Sequence, residues 1–262
     1  NNDVDPTINQ IPDYNPGSAT RCSRDLVALN LDSFKDALSI LGTEYDITNI
    51  DDNGLAFTAG SPTTGTGFLA AEIADDAWQN LTGAPVDVIY TVVPKTAFCT
   101  GVSFDVTVTI NPEPTIALGA NPIACVGAPT ASLTYGATTA SPNQYSIDFD
   151  AAAQTAGFSD VTNAALPASP ILITIPGAAA VGVYNATLTV RNSVTGCVSQ
   201  LYPITVTLGA SITLGTNPTV CLGAVTANLP YSATIGNPDQ YSIDFDAAAQ
   251  TQGFADVTNN AL

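Results

Sequence analysis

The sequence predicts an all-β protein built of tandem immunoglobulin-like antiparallel β-sandwich modules in an extended string. Three observations predict it. Short stretches alternate apolar and polar residues, as half-buried strands do, and turn-rich segments drawing on 18 Pro and 20 Gly separate them. QYSIDFDAAAQT at 144–155 recurs unchanged at 240–251, and residues 115–166 against 211–262 give 35 identities in 52 ungapped positions. Five cysteines recur at domain-sized intervals of 103, 96 and 98 residues. A repeat offset of 96 residues is a whole small domain, longer than the unit of a solenoid.

These observations divide the chain into a linker at 1–6, a first module at 7–113, a second at 114–209 and a truncated third at 210–262 that repeats 114–166. Leu262 matches Leu166 in mid-repeat, so the sequence reads as a piece of a longer protein. DPTI at 5–8 mirrors EPTI at 113–116, where the second module opens. The connections through NPEP (111–114) and GAS (209–211) are short, as in a semi-rigid string.

In the first module, LVALNL (26–31), EYDITNI (44–50), VDVIYTVV (86–93) and SFDVTVTI (103–110) read as strands. SFKDALSILG (33–42) reads as one or two helical turns ended by Gly42, and ADDAWQN (74–80) as another short helix with Trp78 as core anchor. SPTTGTG (61–67) is a loop. In the second module the expected strands are TIALG (115–119), ASLTYGAT (131–138), QYSIDFD (144–150), ILITI (171–175), VYNATLTVRN (183–192) and QLYPITVTL (200–208). Pro203 cannot donate to a ladder, which puts it at an edge or an entry position. The two modules align from their second cysteines: VTVTI begins seven residues after Cys99 and ITVTL seven after Cys197.

Cys22, Cys125 and Cys221 stand near module starts, and Cys99 and Cys197 near module ends. The spacing predicts the intramodule disulfides Cys22–Cys99 and Cys125–Cys197, with Cys221 pairing to a cysteine expected near position 293, beyond the chain. Reduced, buried thiols are the alternative. Disulfides imply an oxidising compartment, so the expected location is extracellular or at the cell surface.

GVYNATLTVRN with its following TGC, and YDITNI, GLAF, IADDAWQN, PVDVIYTVVP and FDVTVTINPEP in the first module, resemble PKD-like, immunoglobulin-like repeats. Such repeats are strung along very large Bacteroidetes surface proteins, including SprB-like gliding-motility adhesins exported by the type IX secretion system. The resemblance covers essentially the whole chain. It implies a surface-displayed adhesin with a surface glycan or other cell-surface ligand, and with the secretion and motility machinery as partners. It supplies no catalytic residue.

Charge and composition agree with that. The net charge is 5 − 23 = −18, and residues 1–113 hold 16 of the acidic groups. The absence of basic clusters gives no footing for nucleic acid, and no apolar run is long enough to insert this segment in a membrane. With no His, the commonest general base and metal ligand is missing. GxSxG, P-loop and GxGxxG motifs are absent as well, so no enzyme activity is expected.

The residues left to carry chemistry are carboxylates. Asp148 and Asp150, duplicated as Asp244 and Asp246, would share a strand face about 7 Å apart. With Asp160 they form a calcium hypothesis, set against a plain solvent face over a core of Tyr145, Ile147 and Phe149. Calcium is the one cofactor this suggests. NIDDNG (49–54) lacks the Glu of an EF-hand and reads as a tight turn with Gly54 at positive φ. Asp75 and Asp76 fit a helix start, and Asn80-Leu-Thr and Asn185-Ala-Thr are sequons. The leading function is therefore a structural stalk segment of a giant cell-surface adhesin, for adhesion and gliding motility. The alternatives are a calcium- or glycan-binding module, or a non-catalytic accessory segment of a secreted enzyme.

Overall fold

The computed structural model describes residues 11–262, apart from 222 and 237. The linker at 1–6, the start of the first module at Thr7 and the DPTI segment lie outside the described residues. The chain divides into two compact units. One holds the residues up to Ile116 with Ala137–Gln144 and Val190–Gln200; the other holds Ala117–Gly136, Tyr145–Thr189 and Leu201–Leu262.

The first unit is built on β1 (Gly17–Cys22), β2 (Glu44–Asp51), β4 (Gly65–Phe68), β6 (Val86–Lys95) and β7 (Phe104–Asn111), in the sheet order β1-β7-β6-β2-β4. A second layer pairs β3 (Ala56–Ala59) with β5 (Ala77–Gln79). All pairs in the five-stranded sheet are antiparallel except β1 with β7, which is parallel, so Gly17 faces Val106 and Cys22 faces Asn111. The alternation that predicts β6 and β7 is literal: Val88, Tyr90, Val92, Val106 and Val108 are all fully buried. They meet Val27, Leu31, Ile73 and Trp78 in one core. Each large aliphatic buried this way contributes roughly 1.5–3 kcal/mol. Trp78 is the anchor the sequence suggests, edge-on to Phe57 and Tyr90.

Four expectations in this unit fail, the first being the loop at 61–67, whose last residues enter β4 from Gly65. LVALNL is not a strand: Arg24 and Ala28 adopt positive φ, and only an isolated bridge joins Leu26 to Ala77. The amides of Val27, Ala28 and Leu31 are satisfied instead by the carbonyls of Asp76, Ala74 and Ala70. SFKDALSILG forms only a 3-10 turn over Leu31–Phe34, because the chain turns extended at Lys35 and Leu38 lies in solvent. ADDAWQN is not a helix: a 3-10 turn over Glu72–Asp75 runs straight into β5. The NIDDNG segment is the turn expected, with Asn53 and Gly54 both at positive φ and the Asp51 and Asp52 carboxylates accepting from their amides.

The second unit is built on β9 (Ile123–Cys125), β12 (Gln144–Phe149), β13 (Val161–Ala165), β15 (Gly182–Arg191) and β16 (Tyr202–Gly209), in the order β13-β12-β15-β16-β9. Arg191 and the loop after it belong to the first unit. Shorter pairs join β8 (Thr115–Leu118) to β11 (Tyr135–Thr139), and β10 (Thr130–Leu133) to β14 (Ile171–Thr174). β9 runs parallel to β16, placing Cys125 opposite Gly209. That partner covers only residues 207–209 of β16, so Pro203 has no ladder to break on that side. Leu133, Ile147, Phe149, Ile171, Leu188, Ile204 and Val206 fill the core, while Tyr145 is only half-buried.

Residues 211–262 keep local pieces of the same plan. β17 (Ser211–Leu214) pairs with β18 (Tyr231–Ile235), and β19 (Gln240–Ile243) with β20 (Val257–Ala261). Among the described residues of this stretch no strands correspond to β15 and β16. Phe158 is 3% exposed in the second repeat and its copy Phe254 is 57% exposed.

Candidate functional site

Cys22 ends β1, and the amide of Ser23 closes onto the Asn111 carbonyl at the end of β7. Cys197 lies in a tight loop after β15, where Asn192 accepts from the amides of Val194 and Gly196 and donates to the Cys197 carbonyl. The two cysteines form a disulfide with Cα atoms 5.4 Å apart across 175 residues of sequence. This corrects the expected pairs Cys22–Cys99 and Cys125–Cys197. Parallel pairing carries Cys22 to the C-terminal end of β7, whereas Cys99 precedes the N-terminal end of that eight-residue strand. A strand of that length spans roughly 23 Å, far beyond the ~4.4–6.8 Å Cα separation a disulfide tolerates. The same register holds Cys125 at the far end of β16 from Cys197. Closing so long a loop contributes about 5 kcal/mol in the chain-entropy account.

A polar cluster surrounds this bond. Arg24 lies just past Cys22, with Nη1 3.5 Å from Oε2 of Glu113. Glu113 is buried, and its Oε1 accepts from the Gln200 amide at 2.8 Å. Its Oε2 has no hydrogen bond, so the guanidinium charge compensates it. With their amides turned to present oxygen, Gln79 and Gln200 both accept from Arg24. Asn80, fully buried, donates to the carbonyls of Ile110 and Ala84 and receives Thr82, so the first sequon serves as a structural clip. Segments 22–24, 79–80, 111–113 and 197–200 thus meet at one place. Sequence reasoning treats Glu113 as linker; the only signal was a charged residue between two prolines.

The repeat carboxylates have local tasks. Asp148 is solvent-facing on β12 between buried Ile147 and Phe149, as the alternation requires. Asp150 falls beyond the strand and caps α1 (Ala151–Thr155), accepting from the Ala153 amide at 2.8 Å and from Asn185 at 3.0 Å. The Ala153 amide first, then Asn185, hold its carboxyl below the usual range. Asp160 accepts from the Phe149 amide and from Gln154. In the next repeat Asp246 caps α2 (Ala247–Thr251) identically, Asp256 repeats the part of Asp160, and Asp244 corresponds to Asp148. Among the described residues, no group of three or more His, Cys, Asp or Glu stands arranged to hold a metal ion.

One titratable group escaped sequence reading. Asp76 is only 3% exposed and accepts from the Tyr90 hydroxyl at 2.9 Å, while the Trp78 indole donates to that hydroxyl at 2.8 Å. Burial, aided by the charges of Asp75 and Glu72, pushes its carboxyl up to about 6 against the favourable Tyr90 bond. Burial and the Asp76 charge in turn push the Tyr90 phenol up. Gly60, at φ 73°, lies against Asp76 so closely that a Cβ there would strike its carboxylate and backbone.

This sandwich with its parallel opening strand places the comparisons with known proteins in context. Residues 19–114 match the PKD-like domain. No curated protein matches the chain. Solved structures similar to it include the adhesin domain of Epf from Streptococcus pyogenes, 13% identical, with 65% of this chain and 65% of that one covered at a TM-score of 0.27. The human desmocollin-1 ectodomain is 13% identical over 75% of this chain and 36% of its own, at 0.27. The protocadherin gamma B4 extracellular domain is 11% identical over 97% and 43%, at 0.28. The chain spans less than two thirds of each of these structures, and scores of this size carry no inference about function. The protein is an all-β, immunoglobulin-like sandwich with a PKD-like domain in its first part. Among the described residues no helix is long and apolar enough to cross a membrane.

Proposed function

We propose that the chain is a structural stalk segment of a large cell-surface adhesin, serving surface adhesion and gliding motility, and that it is non-catalytic and extracellular. Its modules are those at 7–113, 114–209 and 210–262. The observation that carries this reading is the disulfide from Cys22, at the opening of the first repeat, to Cys197, in the closing loop of the second. A covalent tie between successive repeats serves a chain under tension, and it forms only where thiols are oxidised. Low charge beyond residue 113 and the use of the repeat carboxylates as caps support a spacer over a binding site.

The test is antibody raised to residues 1–262 applied to intact cells of the source organism. The proposal predicts labelling of unbroken cells and slowed attachment and gliding when the antibody is present. Labelling only after lysis, or surface labelling with attachment and gliding unchanged, contradicts it.

A further inference from the structure

Cys22 and Cys125 occupy the same place in successive sheets. Cys22 ends a strand parallel to β7 and faces Asn111, the last residue of β7; Cys125 ends a strand parallel to β16 and faces Gly209, the last residue of β16. The next amide closes onto that last residue in both cases, Ser23 to the Asn111 carbonyl at 2.9 Å and Val126 to the Gly209 carbonyl at 2.9 Å. A turn follows in both, with Asp25 donating to the Cys22 carbonyl at 3.0 Å and Ala128 to the Cys125 carbonyl at 3.1 Å. Cys22 is bonded to Cys197 in the loop between β15 and β16, the last two strands of the following repeat. Cys125 is exposed and makes no disulfide within the described residues.

We propose that Cys125 is the second rung of a staggered disulfide ladder: it bonds the closing-loop cysteine of a module that completes the repeat begun at 211. Each opening cysteine is then tied to the module after its own, and Cys221 serves the rung beyond. The proposal rests on the modular reading above. Its chemistry is thiol–disulfide exchange: the two thiols give up two protons and two electrons as the S–S bond forms, and a disulfide oxidant is reduced to two thiols. The reassignment follows from register. A cysteine at the opening of a module stands at the far end of the last strand from that module's own closing loop, so an intramodule bond is out of reach and the neighbour's loop is the partner.

The experiment extends the chain past Leu262 with a copy of its own residues 167–209, which restores the strands and loop missing from the third repeat, in a Cys99→Ser background. Trypsin cuts after Lys95, Arg191 and the appended copy of Arg191, so Cys125, Cys221 and the appended copy of Cys197 fall on three different fragments. Under non-reducing conditions the ladder predicts fragment 96–191 linked to the final fragment. A further Cys125→Ser substitution then leaves the final cysteine open to alkylation, a gain of one reactive thiol. Linkage of the final fragment to the one carrying Cys221 overturns the proposal. So does full alkylation of Cys125 in a chain whose appended module still melts cooperatively, which leaves the modular reading standing. Failure of the appended module to melt cooperatively with Cys125 still reactive overturns both.

Discussion

The Tyr90 hydroxyl donates to the buried carboxylate of Asp76 across 2.9 Å, inside the aromatic core of the first unit. The folded pKa of Asp76, about 6, lies above the ordinary 3.8, so the fold holds the proton more tightly than the unfolded chain does. That stability is fully present below about pH 4 and is lost as pH rises through 6, by on the order of 3 kcal/mol. Asp76→Asn keeps the acceptor for Tyr90 without the charge. The variant should therefore match the parent in urea midpoint near pH 4 and exceed it at pH 7. Equal midpoints at both pH values would contradict the assignment.

Two glycines, both at positive φ, separate strain from crowding. Gly54 has φ 83° with nothing near its absent Cβ, whereas Gly60 has φ 73° against Asp76. Gly54→Ala should cost about 1 kcal/mol, the conformational part alone. Gly60→Ala adds a backbone and carboxylate clash and should cost about 3 kcal/mol or more. Thermal melts of the two variants check the difference.

Arg24 and Glu113 form a pair that should be costly to break and cheap to remove. Arg24→Ala leaves a buried carboxylate uncompensated and should lose about 2 kcal/mol. Adding Glu113→Gln should recover most of that loss, since the amide still accepts from Gln200. A denaturant-based double-mutant cycle reads the coupling, and simple additivity would contradict it.

Removing the caps should separate the two repeats. Asp150→Ala should speed amide exchange at Ala153 and lower the melting temperature, because α1 buries Ala153 in the core of the second unit. Asp246→Ala should speed exchange at Ala249 while leaving the melting temperature unchanged, since none of the residues of α2 is buried.

The strands legible in the sequence are those that bury one face: β2, β6, β7, β8, β10, β12, β14, β15 and β16 announce themselves by alternating apolar and polar residues. β1 and β9 do not, since GSATRC holds few apolar residues and IAC is only three residues long, and their parallel pairing is settled by β7 and β16. That omission produced the wrong disulfides. Spacing along the chain shows that cysteines belong to a repeating plan, but only strand register shows which end of the sandwich each one reaches. The carboxylates of the duplicated stretch were legible as a strand face as far as Asp148; Asp150 is one residue too late and becomes a cap. Asp76 was invisible, because nothing in ADDAWQN distinguishes the carboxylate that turns inward to Tyr90 from its solvent-facing neighbour.

The disulfide also governs the response to force. Pulled from its termini, the oxidised chain cannot release residues 23–196, which lie inside the Cys22–Cys197 loop. Reduction should add about 600 Å of contour length at ~3.5 Å per residue. Single-molecule stretching with and without reductant measures it directly, and equal contour lengths would contradict the bond.

The most direct test of the account is a non-reducing tryptic map of residues 1–262. Cleavage after Arg21 and Arg24 isolates Cys22 in the tripeptide Cys22-Ser23-Arg24, and Lys95 and Arg191 bound the fragments carrying the other cysteines. The account predicts that tripeptide linked to fragment 192–262, and still linked when Cys221 is replaced by Ser. The tripeptide linked to fragment 96–191, with Cys99, would contradict it.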